Sequence, residues 1–434
     1  MSAPSPHRRC GLFRWILQPL ALLVVISPAW PAQIVISFDD ALREAVERAP
    51  SLAARQAQLD AAQQEAARAA QLPDPRLKLG VANLPVTGVD AFSFSADFMT
   101  MKQVGVMQDF PARAKLRARQ QVADRGVQQA QAQSTADRVA VRQAAAQAWI
   151  ALWAAQDEAA ALRSLREPAQ VAVDATRARL QGGTGSATDA LAAKTAALHL
   201  ENRIDGAQAT VDAARAGLAR WLEPDSTDLE TAGEPPPLDT LPVIEAEMLE
   251  SVDRAGPLLP WDSHKDLAEA AVDAAIAEKH PDWSLGVTYA QRDRSPTGSA
   301  RSDMLMLEFS IGLPLFTANR QDRDIAARRA ERNAAVANYE EARRAQTESL
   351  QRMLAEWRGL QRQITRHEQQ ILPLARDRSQ TALAAYAGGG ELQPWIDAYR
   401  EEIELHLMHA QLRRELGHVW AQLAYLIPEQ ETSP

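Results

Sequence analysis

Four short stretches of this chain alternate apolar and polar residues with a period of two. Trp283, Leu285, Val287 and Tyr289 interleave with Ser284, Gly286 and Thr288; Leu305, Leu307, Phe309 and Ile311 interleave with Met304, Met306, Glu308 and Ser310. Successive side chains of a strand point to opposite faces, so this spacing predicts strands over about 282–292 and 303–313. The polar run 292–302, with Pro296 and Gly298, predicts the hairpin loop between them. An earlier pair has the same form. Leu77, Leu79 and Val81 alternate with Arg76, Lys78 and Gly80 over about 76–84, and 99–110 is strand-like with a slip around Lys102 and Gln103.

The remaining pattern is helical. Residues 38–71 predict a helix broken near Pro50 and stopped at Pro73-Asp74-Pro75. Segments 112–181 and 318–387, rich in Ala, Arg and Gln, predict helices of roughly 70 residues, each about 100 Å long. Pro168 and Pro373 sit at matching points and should bend them. Gly182-Gly183-Thr184-Gly185 and Gly388-Gly389-Gly390 should end them, since glycine enters left-handed conformations freely. Helices return over about 186–222 and 392–426.

These elements occur twice, about 206 residues apart, with Leu79-Gly80-Val81 answered by Leu285-Gly286-Val287 and Phe110-Pro111 by Leu313-Pro314. The expected organisation is a first repeat over 33–222, a Pro- and acid-rich linker over 223–260 lying as an irregular collar, and a second repeat over 261–427. The long helical hairpins span 112–222 and 318–426. A disordered tail is expected over 428–434. The fold class is mainly α with a small β part and an internal duplication.

Composition narrows the picture. Aromatics are only 5% of residues and alanine supplies much of the apolar fraction, which suits slim helices packed along their length. Net charge is −9, and residues 1–32 hold Arg8, Arg9 and Arg14 with no acid, so the remainder is −12; nucleic acid is not an expected partner. Those arginines precede an apolar run from Trp15 to Ile26 and small residues at Ser27, Ala29 and Ala32, which predicts a signal peptide over 1–32 cleaved after Ala29 or Ala32. A retained membrane anchor is the alternative. Cys10, the single cysteine, precedes the apolar run and is wrongly placed for lipid attachment, so no lipobox is expected.

Strands of about ten residues match what a tilted strand needs to cross a bilayer, although a half-buried soluble hairpin alternates in the same way. Four strands cannot close a barrel, and an open sheet edge cannot sit in hydrocarbon. The chain must therefore share a barrel: two copies give eight strands and three give twelve, and the larger one leaves an aqueous bore. The helices should continue the wall as a tube. Trp283, Leu285, Val287, Tyr289, Leu305, Leu307, Phe309 and Ile311 are the expected lipid-facing residues, with Trp283 and Tyr289 near the rims.

At this point the chain resembles the TolC-type outer-membrane efflux factors, especially the heavy-metal (cobalt-zinc-cadmium and copper-silver) branch. The resemblance rests on Ala49-Pro50-Ser51-Leu52, Leu72-Pro73-Asp74-Pro75, Gln108-Asp109-Phe110-Pro111, His280-Pro281-Asp282-Trp283, Pro314-Leu315-Phe316, Asn319-Arg320-Gln321-Asp322-Arg323 and Tyr386-Ala387-Gly388-Gly389-Gly390. It covers nearly the whole chain after residue 32. It implies a homotrimer in the outer membrane of a Gram-negative bacterium, with a twelve-stranded β-barrel and a periplasmic α-barrel. It further implies docking to a periplasmic adaptor and an inner-membrane pump of RND type, and passive export, with heavy-metal cations as the expected cargo. An exit duct for drugs or secreted proteins, and a soluble periplasmic coiled-coil adaptor or scaffold, are the competing readings. Many relatives are lipoproteins, and here the chain departs from them.

The resemblance makes Gly182, Gly183, Gly185, Gly388, Gly389 and Gly390 the expected adaptor-docking tips, against the plainer reading that they end helices. It makes Asp397 the candidate for a periplasmic gate, where three symmetry copies would form an acidic ring; a solvated surface carboxylate is the alternative. Pro394 stands where some relatives have a second acid. Thioethers bind Cu(I), so Met99, Met101, Met107, Met304 and Met306 invite a metal reading, but wall packing explains them more simply. His406 and His409 share a helix face at a spacing of three, where surface residues are commoner than ligands. No metal site and no cofactor is expected. The chain carries no nucleophile–base constellation or phosphate loop, so enzymatic activity is not expected and the energy for transport must come from elsewhere.

Overall fold

The computed structural model describes residues 34–222 and 229–428. The expected signal peptide and the tail after Pro428 lie outside the described residues. A three-residue strand, β1 (Ile34–Ile36), opens the chain. Helix α1 (Phe38–Arg48) starts behind Ser37, whose hydroxyl accepts from the Asp40 amide at 3.2 Å, with Asp39 and Asp40 at the positive end of the helix dipole. Helix α2 (Pro50–Ala69) begins on Pro50, where a missing N–H leaves no bond unmade. Then come β2 (Arg76–Ala82) and β3 (Met101–Phe110). The alternation slip near Lys102 does not interrupt β3: Lys102 pairs with Val81 on one side and Gln291 on the other.

The long helical segment that follows is α3 (Arg113–Ser164) and α4 (Arg166–Gln181), returning as α5 (Ala187–Ala219). The linker is less irregular than expected. It holds β4 (Leu229–Thr231), which pairs in parallel with β1, then α6 (Glu245–Glu250) and two short 3₁₀ turns. Three-residue strands carry no readable period, so this pairing was invisible in the sequence. The second half repeats the plan with α7 (Leu259–Ala277), β5 (Trp283–Gln291), β6 (Met304–Ile311), α8 (Gln321–Arg366), α9 (Leu372–Ala387) and α10 (Gln393–Ala424).

Proline acts differently in the two halves. Pro168 cannot donate to the carbonyl four residues back, and the helix steps at Leu165 between α3 and α4. The Leu165 carbonyl accepts from the buried Tyr399 hydroxyl of α10 at 2.8 Å. Before Pro373 the helix is not broken but widens to a π turn over His367–Ile371.

The four long strands form one antiparallel sheet in the order β2-β3-β5-β6. The helices pack along their lengths around a ribbon-like core whose largest fully buried side chains include Trp149, Trp395, Tyr386 and Tyr399. Small residues let the backbones approach. A Cβ on Gly417 of α10 would lie 2.2 Å from Ile150 Cγ2 on α3, closer than real contacts allow. Trp149 also donates to the Ile36 carbonyl at 3.0 Å, fastening the first strand to α3.

Candidate functional site

The sheet has two chemically distinct faces. In register, Leu77, Val106, Val287 and Leu307 form one row, and Leu79, Val104, Tyr289 and Leu305 the next. Trp283, Leu285, Phe309 and Ile311 complete the same face, and all eight residues singled out from the alternation are exposed on it. Aromatic rings gather at its helix-proximal end, where Phe110 stacks on Trp283 with centroids 4.0 Å apart. The other face carries Arg76 bonded to Asp109, Lys78 with its Nζ 3.8 Å from Glu308, and Gly80, Gly105, Gly286, Ser284 and Thr288. Among the described residues neither sheet edge, β2 or β6, has a further partner strand.

A polar knot joins the sheet to the helices. Asp282, just before β5, accepts from the Ala112 amide and from Lys115 Nζ, each at 2.8 Å, and Lys115 also meets Glu278 at 3.1 Å. Ala112 offers no side-chain cap, so Asp282 caps α3 from the other half of the chain. Burial opposes the charge on Lys115, but its bonds to Asp282 and Glu278 outweigh that and hold its pKa above the ordinary lysine value. Lys279, 2.5 Å from Asp322, ties the same junction to the start of α8.

At the opposite end the two glycine turns lie together. Gly183 and Gly389 have φ of +73° and +109°, which the turns require of a residue without Cβ. Ser186 caps the returning helix by accepting from the Asp189 amide at 3.0 Å. Arg179, from the end of α4, donates through Nη1 to the carbonyls of Tyr386 at 2.7 Å and Gly390 at 3.1 Å. It thereby locks one turn onto the other. Arg179 was not singled out in the sequence because arginines are common along these helices and only the fold brings residues 179 and 386 together.

Asp397 is exposed on the first turns of α10, accepts from Gln393 Nε2 at 2.9 Å, and borders an open groove of about 780 Å³ with Arg378 and Pro394. Among the described residues no group of three or more His, Cys, Asp or Glu is placed to hold an ion, and this includes the neighbourhood of His406 and His409. His409 instead stacks near His367 of the π turn, with centroids 6.1 Å apart. Burial first, then the Arg413 and His367 charges, push the His409 pKa down to about 4. No described helix is long and apolar enough to cross a membrane.

The linker is stapled where no motif announced it. Trp357 Nε1, Gln361 Nε2 and Trp420 Nε1 donate to the successive carbonyls of Leu238, Asp239 and Thr240 at 2.9, 2.8 and 2.7 Å.

Solved structures share this architecture. The outer-membrane channel OprN superposes with a TM-score of 0.74 at 18% identity, over 89% of each chain. CusC gives 0.71 at 16% identity, over 89% of this chain and 91% of its own. The open state of the Neisseria gonorrhoeae MtrE outer membrane channel gives 0.71 at 17% identity, over 90% and 88%. No curated protein shows significant sequence similarity to the chain. The family model described as outer membrane efflux protein matches residues 41–222 and 264–401. The chain belongs to the outer membrane efflux protein family.

Proposed function

We propose that three copies of this chain assemble into the outer-membrane duct of a tripartite efflux system, passing substrate from a periplasmic adaptor and an inner-membrane pump of RND type to the exterior. The observation that carries this reading is the sheet: four strands with one exposed apolar face, two edges without a partner strand among the described residues, and helices leading directly from its ends. Three such sheets joined β6 to β2 leave no edge in hydrocarbon and give twelve strands around an aqueous bore. The Leu, Val and Ile rows then face lipid, with Phe110, Trp283 and Tyr289 near the rims. Resemblance to the heavy-metal branch makes metal cations the favoured cargo.

The glycine turns are the adaptor-docking tips in this arrangement. Asp397, exposed beside the second turn, closes the periplasmic end in three copies. Sedimentation of the detergent-solubilised mature protein tests the assembly; a trimer is expected, and a stable monomer under barrel-retaining conditions would overturn it. Planar-bilayer recordings of Asp397→Ala test the gate. Higher conductance and weaker cation selectivity are expected, and traces identical to wild type would remove Asp397 from it.

A further inference from the structure

Every methionine in the four long strands lies on the polar face of the sheet. Met101, Met107, Met304 and Met306 alternate there with Lys78, Gln103, Glu308, Ser310 and the glycines, whereas Leu, Val, Ile, Phe, Trp and Tyr occupy the opposite face. Methionine is apolar, so a wall built only by hydrophobic sorting would place it with the leucines. Among the described residues nothing buries the pair on β6: Met304 and Met306 are 43% and 39% exposed. The property that separates methionine from leucine is its thioether, a soft donor for Cu(I) and Ag(I).

One of these side chains, Met107, lies beside a carboxylate, and Met306 stands on the same face next to it in the register. Met107 lies opposite Gly286, and Gly286 opposite Glu308. A Cβ built on Gly286 would lie 3.6 Å from Met107 Cε and 3.8 Å from Glu308 Oε2, so the thioether end and the carboxylate both border the space the glycine leaves. Met306 precedes Glu308 by two residues on the same face, roughly 7 Å along the strand. Lys78 approaches Glu308 only to 3.8 Å with both side chains more than half exposed, a weak pair that a bound cation can displace.

We infer that Met107 and Met306, with Glu308 beside them, form a transit site for a soft monovalent cation, Cu(I) or Ag(I), on the bore-facing side of the sheet. The inference rests on the duct reading for which side faces the bore, but not for the site itself. Weak, exposed thioether ligation suits passage, because an ion must leave a conduit as readily as it enters.

The test is titration of the full detergent-purified protein with silver nitrate in chloride-free buffer, followed by calorimetry, with Zn(II) as the borderline-ion control. Ag(I) binding near one ion per chain is expected, at least about tenfold weaker in Met107→Leu/Met306→Leu, weaker also in Glu308→Gln, and unchanged in Met408→Leu. Met408 is an exposed methionine of α10, 53% accessible, and controls for unspecific thioether binding. Leucine conserves volume, and the two single variants give the same reading if the double variant fails to assemble. Absence of Ag(I) binding, equal affinity of wild type and the methionine variants, or an equal loss in Met408→Leu would overturn the inference. Trimer mass and conductance are measured on the same samples. A non-conducting monomer that still binds Ag(I) through Met107 and Met306 would count against the duct and not against the site.

Discussion

The guanidinium of Arg179 lies 4.4 Å from the centroid of the Tyr386 ring and donates to the Tyr386 backbone carbonyl at 2.7 Å. One side chain from the first helical hairpin thus holds both the ring and the backbone of the second, beside the two glycine turns. A cation on an aromatic face adds about 0.5–2 kcal/mol, and a charged donor to a carbonyl about 1.5–3 kcal/mol. Arg179→Ala should therefore free the two tips from one another. Expected results are faster proteolysis near residues 182–185 and higher single-channel conductance, with the trimer intact. Arg179→Lys, which keeps charge but loses the planar fork, should fall between. Unchanged conductance and proteolysis in Arg179→Ala would mean that the clasp does not hold the tips.

The two faces of the sheet make opposite predictions for neighbouring positions. Trp283→Asp and Leu307→Asp put a charge on the exposed apolar face, at a cost of up to a few kcal/mol per chain in lipid. Both should abolish membrane assembly. Ser284→Asp points to the polar face and should assemble normally. Heat-modifiable trimer bands from outer-membrane fractions read this directly, and equal assembly of all three variants would invert or erase the face assignment.

The junction around Lys115 predicts an asymmetry. Lys115 is 7% exposed and Asp282 47% exposed, so losing the carboxylate harms the lysine more than the reverse. Asp282→Ala removes a bond from a buried ammonium and uncaps α3, costing about 2 kcal/mol. Lys115→Met leaves a carboxylate that water can reach and should cost less than about 1 kcal/mol. Burial would raise the Asp282 pKa, but the bonds from Lys115 and Ala112 outweigh it and hold the pKa below the ordinary carboxylate value. Its contribution is therefore complete above pH of about 4 and lost as pH falls through the lower folded value. Denaturant midpoints of the two variants at neutral pH check the order; equal midpoints would contradict it.

The pair of buried His367 and partly buried His409 predicts acid sensitivity where α8 meets α10. His409 titrates near 4 in the folded chain and near 6.5 when unfolded, so between those values the unfolded chain binds the extra proton. Stability should fall as pH drops from about 6.5 towards 4, by an amount on the order of 2 kcal/mol per chain. Arg413, His367 and His406 add to the effect and Asp157 opposes it. Glu368 Oε1, 3.6 Å from His409 Nε2, is beyond hydrogen-bond reach. His409→Gln should flatten the melting temperature between pH 7 and 5 relative to wild type; parallel slopes would assign the acid sensitivity elsewhere.

What the sequence determined was local and periodic. A period of two over Trp283–Gln291 and Met304–Ile311 gave strands and sorted leucine from serine, because pleating alone decides which side chains share a face. Proline and glycine marked helix ends for reasons that belong to single residues, and the repeat of those marks exposed the duplication. The tertiary structure decided what depends on residues far apart. Nothing local to Arg179 points to Tyr386, nothing local to Asp282 points to the open end of α3, and the carbonyls of Leu238, Asp239 and Thr240 find their indole and amide donors more than a hundred residues away. Even proline left its outcome open: Pro168 gave a step and Pro373 a π turn, and Tyr399 packs its hydroxyl against the first of these alone. The methionines needed both levels. Their spacing was visible along the chain, but only the pairing of β3 through Gly286 to Glu308 brings Met107 to a carboxylate, since register is fixed by partner strands and not by any one strand.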